Sequence, residues 1–407
     1  MKCIFIFRRD LRLTDNTGLI EVLKKYKKVL PVFIYDHNQF TSPHKSAVFT
    51  EYQEGALADL DSYLRAKGSR LCKFYGTPHK VVAYLIKKYS PDAVAFNVDY
   101  SNYSIERDKL IAETVRQSGV ECHMYHDVCQ RLPFHKAYHH FIAQDIKMEP
   151  RRNGQRNYDK QYFDKEKQQQ SPAVREIGRR EALSRIRGRT ENFEISIHLK
   201  LGLVSTREVY NYGIKYKIVQ LIKQMLWREF FFSCWLAHKN NYEFYDERFA
   251  RIKWRNSEMK QMWTGRTGFA YIDASVNQLN KTGFMPNRNR LIVAYFSIKI
   301  LHINPFLYNS SLSVENEGEV WNCGGQQYFS IKLADCCYAN NTGNWHWIAS
   351  DTVDAAGMRF NAGFAGRPFK IEPKGEEEYI KQWHPGHSVK KIVDPKERYQ
   401  EWRSYCK

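Results

Sequence analysis

The hydrophobic positions of this chain follow two grammars. Over residues 2 to about 125, five continuous apolar or β-branched runs, KCIFIF, KVLPVFIY, RLCKFY, AVAFNV and VECHMY, read as strands buried on both faces. Between them, TGLIEVLKKY, SAVFTEYQEGALADLDSYLRAKG, PHKVVAYLIKKY and SIERDKLIAETVRQSG repeat apolar residues at helical spacing. Pro78 suits a first helical turn, and Gly68 and Gly119 suit helix ends. Strict alternation of strand and helix predicts a doubly wound parallel sheet.

A polar stretch over residues 148–171 then reads as linker. Beyond it strands are scarce, and segments such as IVQLIKQMLWREFFFSCWLAHK and RNRLIVAYFSIKIL read as helices. The fold class is therefore α/β: a doubly wound, Rossmann-like parallel-sheet domain over residues 1–130, a linker over 131–173, and an all-α domain over 174–407. No GxGxxG follows the first strand and no GxxxxGK[ST] occurs, which excludes an ordinary dinucleotide domain and a P-loop.

Charge narrows the partner. The formal net charge is +19, and the chain is 14% aromatic. The excess favours a polyanion, and the aromatic side chains offer stacking platforms that a membrane surface does not require, so nucleic acid is the expected partner. Nine cysteines without a CxxC pair make a poor disulfide framework and point to a reducing compartment. The apolar run from Cys3 to Phe7 is too short for a signal segment and no later run approaches a membrane span. A soluble, intracellular protein is expected, with cytoplasm, nucleus and viral factory all open. In CHMYHDVC the spacing of Cys122, His123, His126 and Cys129 matches no standard zinc site, and no metal is expected.

Three further segments carry chemistry. In KQMLWREF a helix sets Gln224, Trp227 and Arg228 on one face, and MPNRNRLIVAYF does the same for Asn287, Arg290 and Leu291. NNTGNWHW puts two tryptophans one residue apart in what reads as a turn rich in Asn and Gly. Taken singly, each reads as core packing or a solvated face. Read together and in order with FIFRRDLRLTDN and WTGRTGFAYIDASVNQLNKTGFMPNR, they resemble the photolyase and cryptochrome family, over residues 5 to about 383. In that family blue light excites a flavin, which passes an electron to damaged DNA or to a signalling state.

The resemblance implies an antenna-type α/β domain followed by an all-α domain that holds FAD. It implies that Ser196 and Leu199 meet the FAD diphosphate, that Arg228 lies near it, and that Asn287, Arg290, Asp335 and Asn341 face the flavin, with Arg290 paired to Asp335 and Asn341 beside flavin N5. It makes Trp345, Trp321 and Trp254 an electron-hopping chain that runs to the surface. It makes Trp227 and Trp347 walls of a pocket for the damaged bases, with Gln224, Asn287 and Leu291 toward the lesion and Arg288 and Arg359 toward phosphates. The implied partner is UV-damaged DNA, bound by a monomer with the lesion flipped out of the duplex; photolyases are among the examples for which base flipping is described.

Several positions depart from the family pattern. Gln224 stands where most dimer photolyases carry Glu and resembles (6-4) photolyases, yet Asn287 and Leu291 stand where those enzymes carry a His pair. Asn341 is the residue photolyases usually carry, where plant and animal cryptochromes often carry Asp or Cys. A cyclobutane dimer photolyase is the favoured expectation, with a (6-4) photolyase and a photoreceptor as alternatives. Residues 187–195 are shorter than the segment that grips FAD in the family, with Thr190 and Asn192 as substitutes, and Cys337 stands where many members have a second Asp. Residues 305–320 read as an inserted surface loop. The antenna is left open among a folate, a deazaflavin, a second flavin and none.

Overall fold

The computed structural model describes residues 1–40, 47–129, 177–187, 195–238, 243–244, 246–309, 322–351, 369–384 and 390–405. The linker, Thr190, Asn192, Trp321, Arg359 and most of the 305–320 insertion lie outside them. The described residues form two compact units, one reaching Phe232 and the other running from Ser233 onward together with Val48 and Phe49.

In the first unit the five apolar runs become β1 (Lys2–Phe7), β2 (Lys28–Asp36), β3 (Cys72–Gly76), β4 (Ala93–Asn97) and β5 (Glu121–Tyr125). They pair in parallel in the order β3-β2-β1-β4-β5. Phe5 in the central β1 sits between Pro31 and Ala95, and every residue of β4 is buried, which is why the inner strands carry no polar alternation; the edge strands β3 and β5, expected to be buried on both faces, are only partly buried because each has a neighbour on one side alone. The crossover helices are α1 (Thr17–Lys25), α2 (Ala47–Ala66), α3 (Pro78–Tyr89) and α4 (Asn102–Gln117). Pro78 opens α3, and Gly68 and Gly119 follow helix ends at φ 75° and 70°.

The carboxyl end of β1 is where a nucleotide would sit in an ordinary doubly wound sheet. Here the loop leaving β1 is bound by a segment nearly 200 residues later in the chain. Leu11 N–H donates to the Leu201 carbonyl at 3.1 Å, and Arg12 Nη1 donates to the Gly202 carbonyl at 3.1 Å. Gly202 has φ +69°, and a Cβ there would collide with the Arg9 carbonyl, so glycine is required at this approach. Beneath it, Arg12 Nη2 meets Asp127 at 2.6 Å, while Arg207 meets Asp127 at 2.8 Å and Asp15 at 2.9 Å, all buried. This internal docking occupies the place that a GxGxxG loop would otherwise line, consistent with the missing motif.

Asp99, just beyond β4, has a pH consequence. Burial alone would push its carboxyl up, but Arg9, at 2.9 Å, and Arg107 outweigh burial and hold it at about 2. A carboxylate held below its unfolded value stabilises the fold above about pH 4, and that contribution disappears as pH falls through the folded value. Asp99→Asn is therefore expected to remove roughly 2 kcal/mol of stability at neutral pH and to flatten the decline between about pH 4 and 2, which urea titrations at several pH values check.

The second unit holds the helices Met259–Trp263, Ala270–Thr282, Asn287–Tyr295, Gly325–Lys332, Tyr338–Ala349, Glu377–Trp383 and Pro395–Tyr405, with a π-helical turn at Phe296–Ile300. Among the described residues it contains no strand. Trp263, Phe269, Tyr271, Phe296, Tyr328 and Trp345 fill its core. NNTGNWHW is helical here, not a turn. Its asparagines bond within and across helices, Asn344 Nδ2 to the Asn340 carbonyl at 2.7 Å and Asn341 Nδ2 to the Gln326 carbonyl at 2.8 Å. Tertiary bonding of that kind overrides the low helix propensity of Asn and Gly.

Candidate functional site

The helix Tyr338–Ala349 sorts the two tryptophans by its own periodicity. Asn341 and Trp345 are one turn apart, whereas Trp347, two residues further on, points to another face. Trp345 is 2% exposed, and Trp347 is only partly buried against the core. The Trp345 indole N–H donates to Asn341 Oδ1 at 3.0 Å. Because indole offers only a donor, this bond fixes the orientation of the Asn341 amide. Its Nδ2 then donates to the Gln326 carbonyl and to Ser330 Oγ at 3.1 Å.

Gly325, at the start of the helix Gly325–Lys332, lets the Trp345 ring lie directly on backbone, since a Cβ there would collide with the ring. Gln326, Ser330 and Gly325 thus position Asn341 and Trp345, and sequence reasoning missed all three. The one available signal was the Gly324-Gly325 pair at a helix start, which reads locally as a loop.

The helix Asn287–Tyr295 is fastened by buried Asn289, which accepts from Tyr271 Oη at 2.9 Å and donates to Ser275 Oγ at 2.9 Å. That anchor leaves Asn287 and Arg288 exposed and Arg290 and Leu291 half-buried. Arg288 reaches Glu376 at 3.7 Å. Arg290 Nη2 donates to both Asp335 oxygens, at 2.8 and 3.1 Å, and its Nε donates to the Met285 carbonyl at 2.7 Å. The Asp335 side chain is 1% exposed and that of Arg290 is 26% exposed. Among the described residues Nη1 of Arg290 makes no hydrogen bond. The pair therefore offers a held guanidinium with a donor to spare and a buried counter-ion behind it. This set fits the polar edge of a flavin, whose reduced form is an anion and needs a fixed cation and donors when taken out of water. Cys337 caps the next helix, accepting the Asn341 backbone N–H at its carbonyl and the Asn340 Nδ2 at Sγ, 3.5 Å away.

Trp254 is half-buried and stacks on Phe244, with ring centroids 5.3 Å apart and planes 5° apart. Trp321, expected between it and Trp345, lies outside the described residues.

In the first unit, Gln224, Trp227 and Arg228 are half-buried on the helix Val219–Ala237. Trp227 stacks on Phe231 at 5.7 Å. Arg228 Nη1 is spent on the Val128 carbonyl at 2.8 Å, on Thr206 Oγ1 at 3.0 Å and on Glu229 at 3.0 Å. Ser196 is exposed and Leu199 buried on the helix Ser196–Leu201. The histidines of CHMYHDVC are engaged locally: His123 Nε2 with Tyr26 Oη at 2.7 Å, and His126 Nδ1 with Tyr100 Oη at 2.7 Å. Among the described residues no helix is long and apolar enough to cross a membrane.

The family model of DNA photolyase matches residues 3–131, and the model of the FAD binding domain of DNA photolyase matches residues 221–405. A deoxyribodipyrimidine photo-lyase of Vibrio cholerae is 27% identical over 93% of this chain and 89% of its own length. Cryptochrome-1 of Spalax judaei is 26% identical over 96% of this chain and 75% of its own. The crystal structure of an archaeal photolyase from Sulfolobus tokodaii with two FAD molecules is similar at a TM-score of 0.81 and 30% identity, covering 100% of this chain and 99% of that one.

Proposed function

Because the chain belongs to the photolyase and cryptochrome family, we propose that it is a light-driven DNA repair enzyme that splits cyclobutane pyrimidine dimers flipped out of UV-damaged DNA. The observation that carries this reading is the adjoining pair of constellations in the second unit, Arg290 with Asp335 and Asn341 with Trp345. When bound, reduced FAD supplies the electron that opens the dimer ring and takes it back afterwards. Arg290 holds the positive charge that an electron-rich ring requires, and Asp335 fixes its direction. Asn341 ties Trp345 to that site through an amide oxygen, which is no base; an oxidised Trp345 therefore keeps its indole proton and remains a mobile cation that Trp321 and Trp254 can refill.

Trp227 and Trp347 supply flat apolar surface for unstacked pyrimidines. Gln224 both donates and accepts hydrogen bonds, as a pyrimidine edge requires, and Asn287 and Leu291 add contacts to the lesion. Arg288 contributes to phosphate binding together with Arg359, and the charge of +19 makes affinity fall with salt. Ser196, Leu199 and Arg228 belong to FAD retention. The working unit is a monomer. Gln224 also favours the (6-4) lesion as a second reading, but neither Asn287 nor Leu291 provides the imidazole acid that lesion requires.

The pocket assignment is tested by Trp347→Ala. Affinity for dimer-bearing oligonucleotide is expected to drop by about 1–3 kcal/mol, with the absorption spectrum of bound FAD unchanged. Binding titrations that show undiminished affinity would remove Trp347 from the pocket.

A further inference from the structure

Cys336 and Cys337 are the one adjacent pair among the nine cysteines of the chain, and they join the two constellations of the second unit. Asp335, the carboxylate behind Arg290, directly precedes them, and Asn340 and Asn341 follow within one helical turn. The buried Cys336 thiol donates to Ser330 Oγ at 3.8 Å, and the same oxygen accepts from Asn341 Nδ2 at 3.1 Å. Cys337 is half-buried; its Sγ accepts from Asn340 Nδ2 at 3.5 Å and its carbonyl from the Asn341 N–H at 2.8 Å. Each sulfur therefore bears on an asparagine, Cys336 through Ser330 on Asn341 and Cys337 directly on Asn340.

The two positions suit different parts in a thiol oxidation. Cys337 is the N-cap of the helix Tyr338–Ala349, where the positive end of the helix and the Asn340 amide both stabilise negative charge on sulfur, and it is reachable from solvent. That is the setting of an attacking thiol. Cys336, covered and one residue away, is placed to resolve what Cys337 forms. Consecutive Cα atoms stand ~3.8 Å apart across a trans peptide, closer than the ~4.4 Å at which ordinary disulfides begin. A bridge between such neighbours is strained and easily reduced, which is the character of a regulatory disulfide and not of a structural one. It also agrees with a reducing compartment, where disulfides are transient.

We propose that Cys336 and Cys337 form a peroxide-sensitive dithiol, whose closure to a disulfide loosens the grip of Arg290, Asp335 and Asn341 on FAD. The Cys337 thiolate attacks hydrogen peroxide, takes one oxygen as a sulfenic acid and releases hydroxide, which the proton lost from Cys337 converts to water. The Cys336 sulfur then displaces the sulfenic hydroxyl; the S–S bond forms, and the hydroxyl leaves as water with the Cys336 proton. Two thiols are oxidised to one disulfide, and one peroxide is reduced to two waters. A dithiol reductant reverses the step by exchange. To meet at ~2 Å, the sulfurs turn toward each other, Cys336 away from Ser330 and Cys337 away from Asn340. The same turn rotates the backbone that links Asp335 to the asparagines. The effect on FAD rests on the proposed reading that the flavin lies against this edge; the bridge itself does not.

The test treats the FAD-loaded full chain with hydrogen peroxide, alkylates the remaining thiols and weighs the peptides. A peptide spanning 336–337 with neither cysteine alkylated and two hydrogens missing is expected, and dithiothreitol restores both thiols. FAD release, followed by its fluorescence, is expected to be about tenfold faster from oxidised than from reduced protein, the effect of one lost hydrogen bond at the cofactor edge. In Cys336→Ser, peroxide leaves a sulfenic acid on Cys337 that dimedone traps; in Cys337→Ser, Cys336 stays a thiol. Peroxide speeds FAD release in neither variant, each compared with its own untreated form. Both thiols still alkylated after peroxide, or a bridge from Cys337 to another cysteine, overturns the proposal. A bridge at 336–337 with FAD release unchanged overturns its hold over the flavin edge. Reduced protein that retains no FAD overturns the reading of the FAD site instead, and the peptide masses still decide the bridge.

Discussion

Trp345→Phe is expected to slow light-driven reduction of bound, oxidised FAD by about a hundredfold or more, equivalent to ~2.7 kcal/mol of barrier. Dimer repair by chemically reduced protein is expected to continue. The benzene ring of phenylalanine is far harder to oxidise than indole, and it has no N–H to bond Asn341 Oδ1, now met at 3.0 Å. Leaving that oxygen unpaired costs about 1–3 kcal/mol, so FAD content and thermal stability are measured alongside. Photoreduction at the parental rate in a folded, FAD-loaded variant would remove Trp345 from the electron path.

Arg290→Leu is expected to have the larger effect on stability. It takes from the buried Asp335 carboxylate, 1% exposed, its ion-pair partner Arg290 and the two bonds at 2.8 and 3.1 Å. Removing one partner of such a pair costs about 3–5 kcal/mol because the other charge stays buried. FAD retention is expected to fall in parallel, since the variant lacks the cation and the spare Nη1 donor. Adding Asp335→Asn removes the buried negative charge and is expected to restore part of the stability but none of the FAD. Urea unfolding and FAD fluorescence separate the two effects, and a double-mutant cycle gives the coupling. A loss below about 1 kcal/mol, as for an exposed ion pair, would contradict the role given to Asp335.

The inner strands were legible in the sequence because parallel strands covered on both faces leave continuous apolar runs, and the runs at the partly buried edges, β3 and β5, became strands as well. Pro78, Gly68 and Gly119 marked helix boundaries for local steric reasons. The docking of Leu201 and Gly202 onto Leu11 and Arg12 spans some 190 positions, and nothing local announces it. NNTGNWHW read as a turn because local propensity was weighed without Gln326 and Ser330, the partners that hold it helical. The Arg290 and Asp335 pairing was legible only through family resemblance, since 45 residues separate the two.

The most direct measurement is recovery of intact thymines from a dimer-bearing oligonucleotide, using the full chain loaded with FAD and chemically reduced, under blue light and in the dark. Recovery under light and none in the dark is the expected result. No recovery in either, with FAD shown to be bound and the oligonucleotide shown to be captured, would contradict the dimer-repair account and turn attention to the (6-4) lesion favoured by Gln224.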